Sequence, residues 1–463
     1  MTDQATTPTA AEHPATAPAE PGPAAPPPPV PLRRNLRFQA LWAGQASATL
    51  GMVVGDTAFP LLVLALTGSS TAAGAFGAVQ MAATLLLGVH GGVVADRLDR
   101  RKVLIASDAT RLLALASVPA AMAFGRPSLL HLLLVAAAIG ATVAYSGPIR
   151  LLALRSVVAP EQLPQALAQD EARMSGAALA GPPLAGFLFG LGRSVPFLGA
   201  AFASLLALTA AFAVRFPSPN QPEKTEKTEK REKTERTGET ERTGEPGGPG
   251  EPGKRAGDGA LAGFRVLAAS PLLRPALAVL LVINLTGAAL LLPVMVLLRE
   301  HGTGSTGIGL ALAGEAVGAL AGTALVSRMH RLAGPGVLLL AVAWTSVPVP
   351  LAPLLPGGAP TVFAALFVVG VGVPALRVML DLLVIRQVPD ALRGRVIAAT
   401  MTLLTAGMPA GAFASGLLLD HLSPTTALTA ISALLAAALL PATASRTLRR
   451  ATWPATAPAA PQD

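Results

Sequence analysis

Two carboxyl groups stand inside long apolar stretches of this sequence and are its strongest candidates for chemistry. Asp56 lies within the apolar run 38–66, and Glu315 lies about ten residues into the run 305–328. A charged carboxylate is costly in apolar surroundings, so such a residue is a candidate to bind a cation or carry a proton. We expect Glu315 to carry a proton and Asp56, which has two glycines nearby, to contact a substrate. The alternative for each is a hydrogen bond that only fastens helix packing.

A second candidate pair is Arg377 and Asp381, in the apolar run 360–386. Residues four apart share one face of a helix, so the two side chains either take part in binding or only neutralise each other. Local neutralisation is the more frequent arrangement, and both residues stay candidates for substrate or proton binding.

Metal and nucleotide chemistry have little support. The sequence has no cysteine, which excludes disulfides, thiolate metal sites and cysteine nucleophiles. The segment 248–254 is a phosphate-loop fragment that lacks the Ser or Thr after its lysine, and the glycines of 302–307 do not follow a predicted strand. We therefore expect no metal site, no cofactor and no enzymatic activity. Because no ATP site is predicted, any process that requires energy must be driven by an ion gradient or by a separate subunit.

The elements that carry these residues are membrane-spanning helices. The 463 residues are 52% hydrophobic and 13% charged, which is typical of membrane proteins. A helix of about 20 residues crosses the roughly 30 Å apolar core of a bilayer. Twelve apolar runs reach about that length: 38–66, 71–94, 103–124, 128–151, 168–191, 195–214, 273–298, 305–328, 334–354, 360–386, 396–419 and 424–445.

The net charge of +9 does not indicate a nucleic-acid partner, because the basic residues lie in short loops between apolar runs. Arginine is concentrated in alternate loops, which places those loops and both termini in the cytoplasm. The expected organisation is a disordered cytoplasmic tail, a six-helix bundle, a flexible charged linker, a second six-helix bundle and a C-terminal tail. The corresponding boundaries are 1–36, 37–216, 217–262, 263–447 and 448–463.

The two predicted bundles have weak internal symmetry. The segment 158–163 is echoed by 387–392, at an offset of about 230 residues. Repeats of this kind are typical of transporters built by duplication.

The loop between the second and third spans carries a dense charge pattern, Gly-x-x-x-Asp-Arg-x-x-Arg-Arg. It resembles the signature of the cytoplasmic loop between helices 2 and 3 in the major facilitator superfamily of transporters. The matching residues are Gly92, Asp96, Arg97, Arg100 and Arg101. Asp99 stands where the family has a second glycine, and this variant looks like that of the enterobactin-exporter-like branch. By the resemblance, Asp96 contacts the start of helix eleven and closes the cytoplasmic side. The alternative is that the cations only hold the loop in the cytoplasm.

A second resemblance lies in span five. The segment 181–186 reads Gly-Pro-Pro-Leu-Ala-Gly, and its Gly181, Pro182 and Gly186 resemble the Gly-Pro-x-x-Gly element of antiporters in the superfamily. The segment 407–411 in the other half is its partner. Glycine and proline are also common in membrane helices without such a role. The arginine followed by Gln-Gly of drug antiporters is missing from span four.

These resemblances imply an all-α membrane protein with twelve transmembrane helices in two pseudo-symmetric six-helix bundles. They imply a secondary transporter of the bacterial cytoplasmic membrane that exports a small organic molecule, such as a drug or siderophore, in exchange for protons. We expect a monomer whose partners are substrate, protons and the lipid bilayer. The alternatives are an importer or uncoupled facilitator of the same fold, and a non-transporting receptor or scaffold whose charged linker recruits a partner.

Overall fold

The computed structural model describes residues 31–97, 99–125, 127–213, 264–387 and 390–451. The expected linker 217–262 and most of the two expected tails lie outside the described residues. The described end of the N-terminal tail is folded: Leu32 is buried, and Asn35 caps the first helix by accepting from the amide of Phe38.

Within the described ranges, twelve helical segments are long and apolar enough to span a membrane, and no strand occurs. All twelve predicted spans are therefore present. The long helices are α1 Leu36–Thr67, α2 Ser70–Arg97, α3 Arg100–Phe124, α4 Leu129–Val157, α5 Leu163–Leu191, α6 Val195–Ala213, α7 Leu273–Glu300, α8 Ser305–Leu332, α9 Pro335–Ser346, α10 Ala359–Gln387, α11 Asp390–His421 and α12 Pro424–Ala444, and a short α13, Arg446–Arg449, follows.

The ninth span differs from the others because its α-helix is short. Helix α9 stops at Ser346, and the span continues as a 3-10 helix over Val349–Leu354. Pro348, Pro350 and Pro353 lie in this stretch. Each proline lacks the backbone N–H that an α-helix needs, so the chain switches to a tighter turn.

The same helix pairings occur in both halves of the molecule. In the first half α1 packs against α5 and α6, and α2 packs against α4. In the second half α7 packs against α11 and α12, and α8 packs against α10. The halves meet mainly through two pairs, α2 with α11 and α5 with α8. This repetition is the predicted architecture of two pseudo-symmetric six-helix bundles.

An aromatic cluster fixes α1 near its candidate carboxyl group. Phe59 stacks on Phe76 of α2 with ring centroids 4.3 Å apart, and it meets Phe197 of α6 at 4.7 Å. Aromatic pairs of this kind add to the apolar burial of the rings. Because Phe59 lies about one turn from Asp56, the cluster sets the position of that carboxyl group.

A glycine seam fixes α8, which carries Glu315. Gly314 and Gly318 lie so close to the α10 carbonyls of Phe363 and Phe367 that a Cβ on either glycine would overlap the carbonyl. Small residues allow this close approach of helix backbones. The position of Glu315 is therefore set by backbone packing on both of its sides along α8.

Candidate functional site

A cavity of about 710 Å³ lies between the two halves. Helices α1 and α2 line it from the first half, and α7, α8, α10 and α11 line most of the second. Most lining residues are apolar. The polar and charged lining residues are Asp56, Gln80, Asn284, Thr286, Glu315, Ser346, Arg377 and Ser415.

Asp56 is held by a side chain of the neighbouring helix. The Nε2 of Gln80 donates to Asp56 Oδ1 at 2.7 Å, and both residues line the cavity. No other hydrogen bond to the Asp56 carboxyl group occurs within the described ranges. The second oxygen thus remains free to accept from a ligand. Sequence reasoning missed Gln80, because an uncharged polar residue in an apolar run gives no strong signal.

Glu315 lines the same cavity from the opposite half. Its side chain is exposed, and it has neither a hydrogen bond nor an ion pair with any residue that the structure describes. Gly370 of α10 packs against the backbone carbonyl of Glu315. The structure thus brings the two predicted carboxyl groups to one cavity, one from each half.

Arg377 also lines the cavity, but its described ionic partner is not the predicted one. Its Nη1 lies 3.9 Å from Oε1 of Glu171 in α5, and the two side chains are 69% and 62% exposed. The side chain of Asp381 lies outside what the structure describes, so its pairing with Arg377 stays a prediction. The exposure of Arg377 and Glu171 shows that solvent reaches this end of the interface between the halves, here named the open end.

The segment 181–186 lies where α5 crosses two other helices. A Cβ on Gly181 would overlap the side chain of Val53 in α1, and one on Gly186 would overlap the Ser305 carbonyl of α8. From the other side, Gly309 of α8 packs on the Pro182 carbonyl. The segment therefore joins α5 both to its own half and to the opposite half.

Its counterpart 407–411 makes the equivalent contact in the second half. Gly407 of α11 packs against Leu281 of α7, and Gly411 packs against the carbonyl of Leu285. The pairing of α5 with α1 is thus repeated by α11 with α7. The segments 181–186 and 407–411 therefore occupy equivalent positions in the two halves of the fold.

The opposite end of the interface, here named the closed end, is formed by the start of α2, the end of α5, the start of α8 and the end of α11. A Cβ on Gly74 would overlap the Ala412 carbonyl, and Gly416 packs on the Ser70 carbonyl. Asp420 Oδ1 accepts from the amides of Ser70 at 3.1 Å and Thr71 at 3.3 Å. A carboxylate of one half therefore caps a helix N-terminus of the other half.

The family profile described as Major Facilitator Superfamily matches residues 41–331. The chain belongs to the Major Facilitator Superfamily. A search of curated proteins finds no match to it.

Solved structures of transporters share this fold. A bacterial homologue of the iron transporter ferroportin in inward-facing state is 16% identical over 88% of this chain and 99% of that chain, with a TM-score of 0.61. The nucleoside transporter NupG is 13% identical over 88% and 98%, with a TM-score of 0.64. The peptide transporter POT is 13% identical over 89% and 95%, also with a TM-score of 0.64. The protein is therefore a multi-pass membrane transporter of the superfamily fold.

The superfamily-like loop between α2 and α3 is described in part. Gly92, Asp96 and Arg97 belong to the end of α2 and Arg100 begins α3, but the side chains of these four residues lie outside the described set. Asp99 is the N-cap of α3, and its Oδ1 accepts from the amide of Arg101 at 2.9 Å. The carboxylate that replaces the family's second glycine thus starts a helix, and the role of Asp96 stays a prediction.

Arg101, the last residue of the loop pattern, ties the start of α3 to the end of α6. Its Nη2 donates to the carbonyl of Phe212 at 2.6 Å. This contact within the first half gives Arg101 a structural role.

The first half of this superfamily member also contains a buried charge cluster. Asp108 Oδ1 lies 3.5 Å from Arg111 Nη1 and 3.1 Å from Arg150 Nη2, and Arg111 also donates to the Thr142 hydroxyl at 3.1 Å. The side chains of Asp108 and Arg111 are 3% and 2% exposed, and neither lines the large cavity. This cluster fastens α3 to α4. Residues three apart share one face of a helix, so the pairing of Asp108 with Arg111 is local, whereas the contact with Arg150 depends on the packing of α3 against α4.

Proposed function

We propose that this transporter exports a small organic molecule across the cytoplasmic membrane of a bacterium by alternating access, in exchange for protons. The observation that carries the proposal is the cavity between the halves, into which each half contributes one carboxyl group, Asp56 and Glu315. Substrate binding between two repeats, near the middle of the membrane, is the arrangement that alternating access requires.

The difference between the two ends supports the direction of access. The closed end is joined by backbone contacts at Gly74, Gly186 and Gly416. Arginines cluster at the loops that follow α2, α4, α8 and α10, mostly in the adjoining helix ends, and these loops lie at the open end. The positive-inside rule assigns these loops, and with them both termini, to the cytoplasm. The cavity in this state is then open to the cytoplasm, the side from which an exporter binds its substrate.

The surroundings of the two carboxyl groups favour different roles. Asp56 is positioned by Gln80, which suits a residue that orients a substrate. Glu315 has no partner within the described ranges and lies in an otherwise apolar stretch of α8. An apolar environment favours the neutral form of a carboxyl group, so Glu315 can take up a proton in one state and release it in the other.

The remaining predicted elements serve the conformational change in this proposal. The antiporter-like segment 181–186 is the contact at which α5 and α8 move against each other. Asp96 caps the start of α11 when the cytoplasmic end closes, since a helix N-terminus attracts a carboxylate. The enterobactin-exporter or drug-exporter branch fits these elements, and a single chain provides the complete cavity, in keeping with a monomer.

The test is pH-driven flux in inverted membrane vesicles. A panel of amphipathic cations, neutral drugs and catecholate siderophores is added to energised vesicles, and proton release is followed with a pH-gradient dye. Glu315→Gln should abolish the proton release that a transported compound causes. Asp56→Asn should weaken the binding itself.

The matched control is Glu300→Gln, the same change at the exposed end of α7 outside the cavity, which should leave flux unchanged. If Glu315→Gln retains full pH-driven flux with an unchanged pH dependence, the coupling role is wrong. Flux that continues at the same rate after the gradient is collapsed would identify an uncoupled facilitator instead.

A further inference from the structure

The hydroxyl groups that line the cavity have already used their hydrogens. Thr286 donates to the Val282 carbonyl at 2.7 Å, and Ser415 donates to the Ala412 carbonyl at 2.7 Å. Ser346 likewise donates to a carbonyl of its own helix at 3.3 Å. A hydroxyl group has one hydrogen and two lone pairs, so these three groups can only accept from a ligand.

The two amide side chains of the cavity are also partly occupied as donors. Gln80 donates one N–H to Asp56, and Asn284 donates one to the carbonyl of Leu280 at 2.9 Å. Each amide keeps its acceptor oxygen and a single further N–H. In their ionised form the carboxyl groups of Asp56 and Glu315 also only accept, so in that state the lining offers far more acceptors than donors.

Arg377 does not reverse this balance. It is the only Lys or Arg among the lining residues that the structure describes. It is 69% exposed at the open end, and its Nη1 faces the carboxylate of Glu171. The inner part of the cavity therefore has two acidic groups and no basic group among the residues that the structure describes.

The rest of the lining sets the shape and character of the ligand. Side chains such as Phe76, Leu280, Ile283, Leu366 and Met408 form an apolar wall around a space of about 710 Å³. Pockets of several hundred Å³ with a few convergent polar groups are typical of sites for small organic molecules. A metal ion needs a compact ligand set, and no group of three or more His, Cys, Asp or Glu occurs within the described ranges.

We infer that the ligand of this cavity is an amphipathic organic cation with N–H donors, that is, a primary or secondary ammonium or a guanidinium on an apolar body. The cationic head lies between Asp56 and Glu315, where its N–H groups donate to carboxylate oxygens, and the body packs on the apolar wall. This inference rests on the proposed function, because it names the substrate class of the same cavity. A cation that binds as a proton leaves also keeps the charge of the site unchanged.

The experiment measures equilibrium binding to the purified full-length protein by calorimetry, without any gradient. Three probes share one apolar body: naphthylbutylammonium, its N-trimethyl analogue, and the carboxylate of the same length. The ammonium should bind saturably, the trimethyl analogue about tenfold more weakly because it has no N–H donor, and the carboxylate not measurably. A charge-assisted hydrogen bond is strong enough for each of Asp56→Asn and Glu315→Gln to weaken ammonium binding about tenfold or more.

Glu300→Gln is again the matched control and should bind the ammonium like the unchanged protein. The double variant of Asp56→Asn with Glu315→Gln measures how much of the ammonium probe partitions into detergent micelles without binding to the site. Elution of each variant as a single species in size-exclusion chromatography shows that it is folded. The inference is overturned if the carboxylate binds as tightly as the ammonium, if the trimethyl analogue equals the primary ammonium, or if Mn²⁺ displaces the ammonium at stoichiometric concentration.

Failure of this inference is distinguishable from failure of the proposed function. Selective ammonium binding without any pH-driven flux contradicts export coupled to protons and leaves the ligand class standing. Conversely, pH-driven flux of a neutral or anionic compound by a protein that does not bind the ammonium overturns the ligand class alone.

Discussion

The two ends of the interface between the halves are held in different ways. At the closed end, glycines bring backbones together, as at Gly186 with Ser305, and Asp420 caps α2. At the open end, the described ion pair between the halves joins Arg377 to Glu171 over 3.9 Å, and both side chains are largely exposed. Backbone contacts order few flexible side chains, whereas an exposed ion pair must order two long ones for little gain. The difference indicates that the closed end carries most of the free energy that favours this state.

The pair α2 and α11 connects the two ends. The start of α2 meets the end of α11 through Ser70 and Asp420, so the two helices run antiparallel. Each helix has a carboxylate near its C-terminal end, Asp96 on α2 and Asp420 on α11. Because the helices are antiparallel, the C-terminal end of each is on the same side of the molecule as the N-terminus of the other. If each carboxylate caps its partner helix in one state, alternating access exchanges one cap for the other.

All four predictions below use distances between spin labels. The natural sequence has no cysteine, so introduced cysteines are labelled without background. Suitable exposed positions at the closed end are Arg193 in the first half and His301 in the second, and at the open end Glu161 and Arg331.

The largest effect is expected for Gly186→Leu. A Cβ at this position already overlaps the Ser305 carbonyl, so a leucine must force α5 and α8 apart. Overpacking costs roughly 1–3 kcal/mol, and this cost falls only on the state with the closed end shut. For the label pair at the closed end, the ratio of the long-distance population to the short-distance population should therefore rise about tenfold or more.

Gly176→Leu is the matched control on the same helix, because a Cβ on Gly176 meets nothing within 4 Å. It should leave the distances unchanged. Should Gly186→Leu also leave them unchanged, the backbone contacts are not what holds the closed end.

A smaller effect is expected for Asp420→Asn. The asparagine oxygen can still accept from the amides of Ser70 and Thr71, so mainly the attraction between charge and helix N-terminus is lost. This attraction contributes roughly 0.3–1 kcal/mol at exposed sites. The population with long closed-end distances should increase by up to about fivefold relative to the population with short ones, and by less at high salt.

Asp96→Asn tests the exchange of caps, because it should shift the populations in the opposite direction. It weakens only the state in which the open end is shut, so the closed-end distances should become shorter on average. If Asp96→Asn and Asp420→Asn shift the populations in the same direction, the two carboxylates do not act as alternating caps.

The same comparison shows how much was predictable from the sequence. The twelve spans were predictable because bilayer-length apolar runs are a local signal, and Asp56 and Glu315 stood out because a charge in such a run is conspicuous. The cap by Asp420 was not predictable, since its partner Ser70 is 350 residues away and both residues look like ordinary loop-end polar groups. The bond from Gln80 to Asp56 depends in the same way on the packing of two helices, which hydropathy does not specify.

The smallest effect is expected for Glu171→Gln, which removes the ion pair at the open end. Exposed pairs contribute about 0–1 kcal/mol, and the separation of 3.9 Å between Arg377 Nη1 and Glu171 Oε1 is at the long limit of such contacts. The ratio of the two populations seen by the open-end label pair should change by less than about fivefold. This change should vanish at about 1 M salt, where the Debye length is roughly 3 Å. Glu171→Ala with Arg377→Ala completes a double-mutant cycle and isolates the pair from other effects of either side chain. An effect of Glu171→Gln as large as that of Gly186→Leu would mean that the open end is also held firmly, and the contrast between the two ends would be wrong.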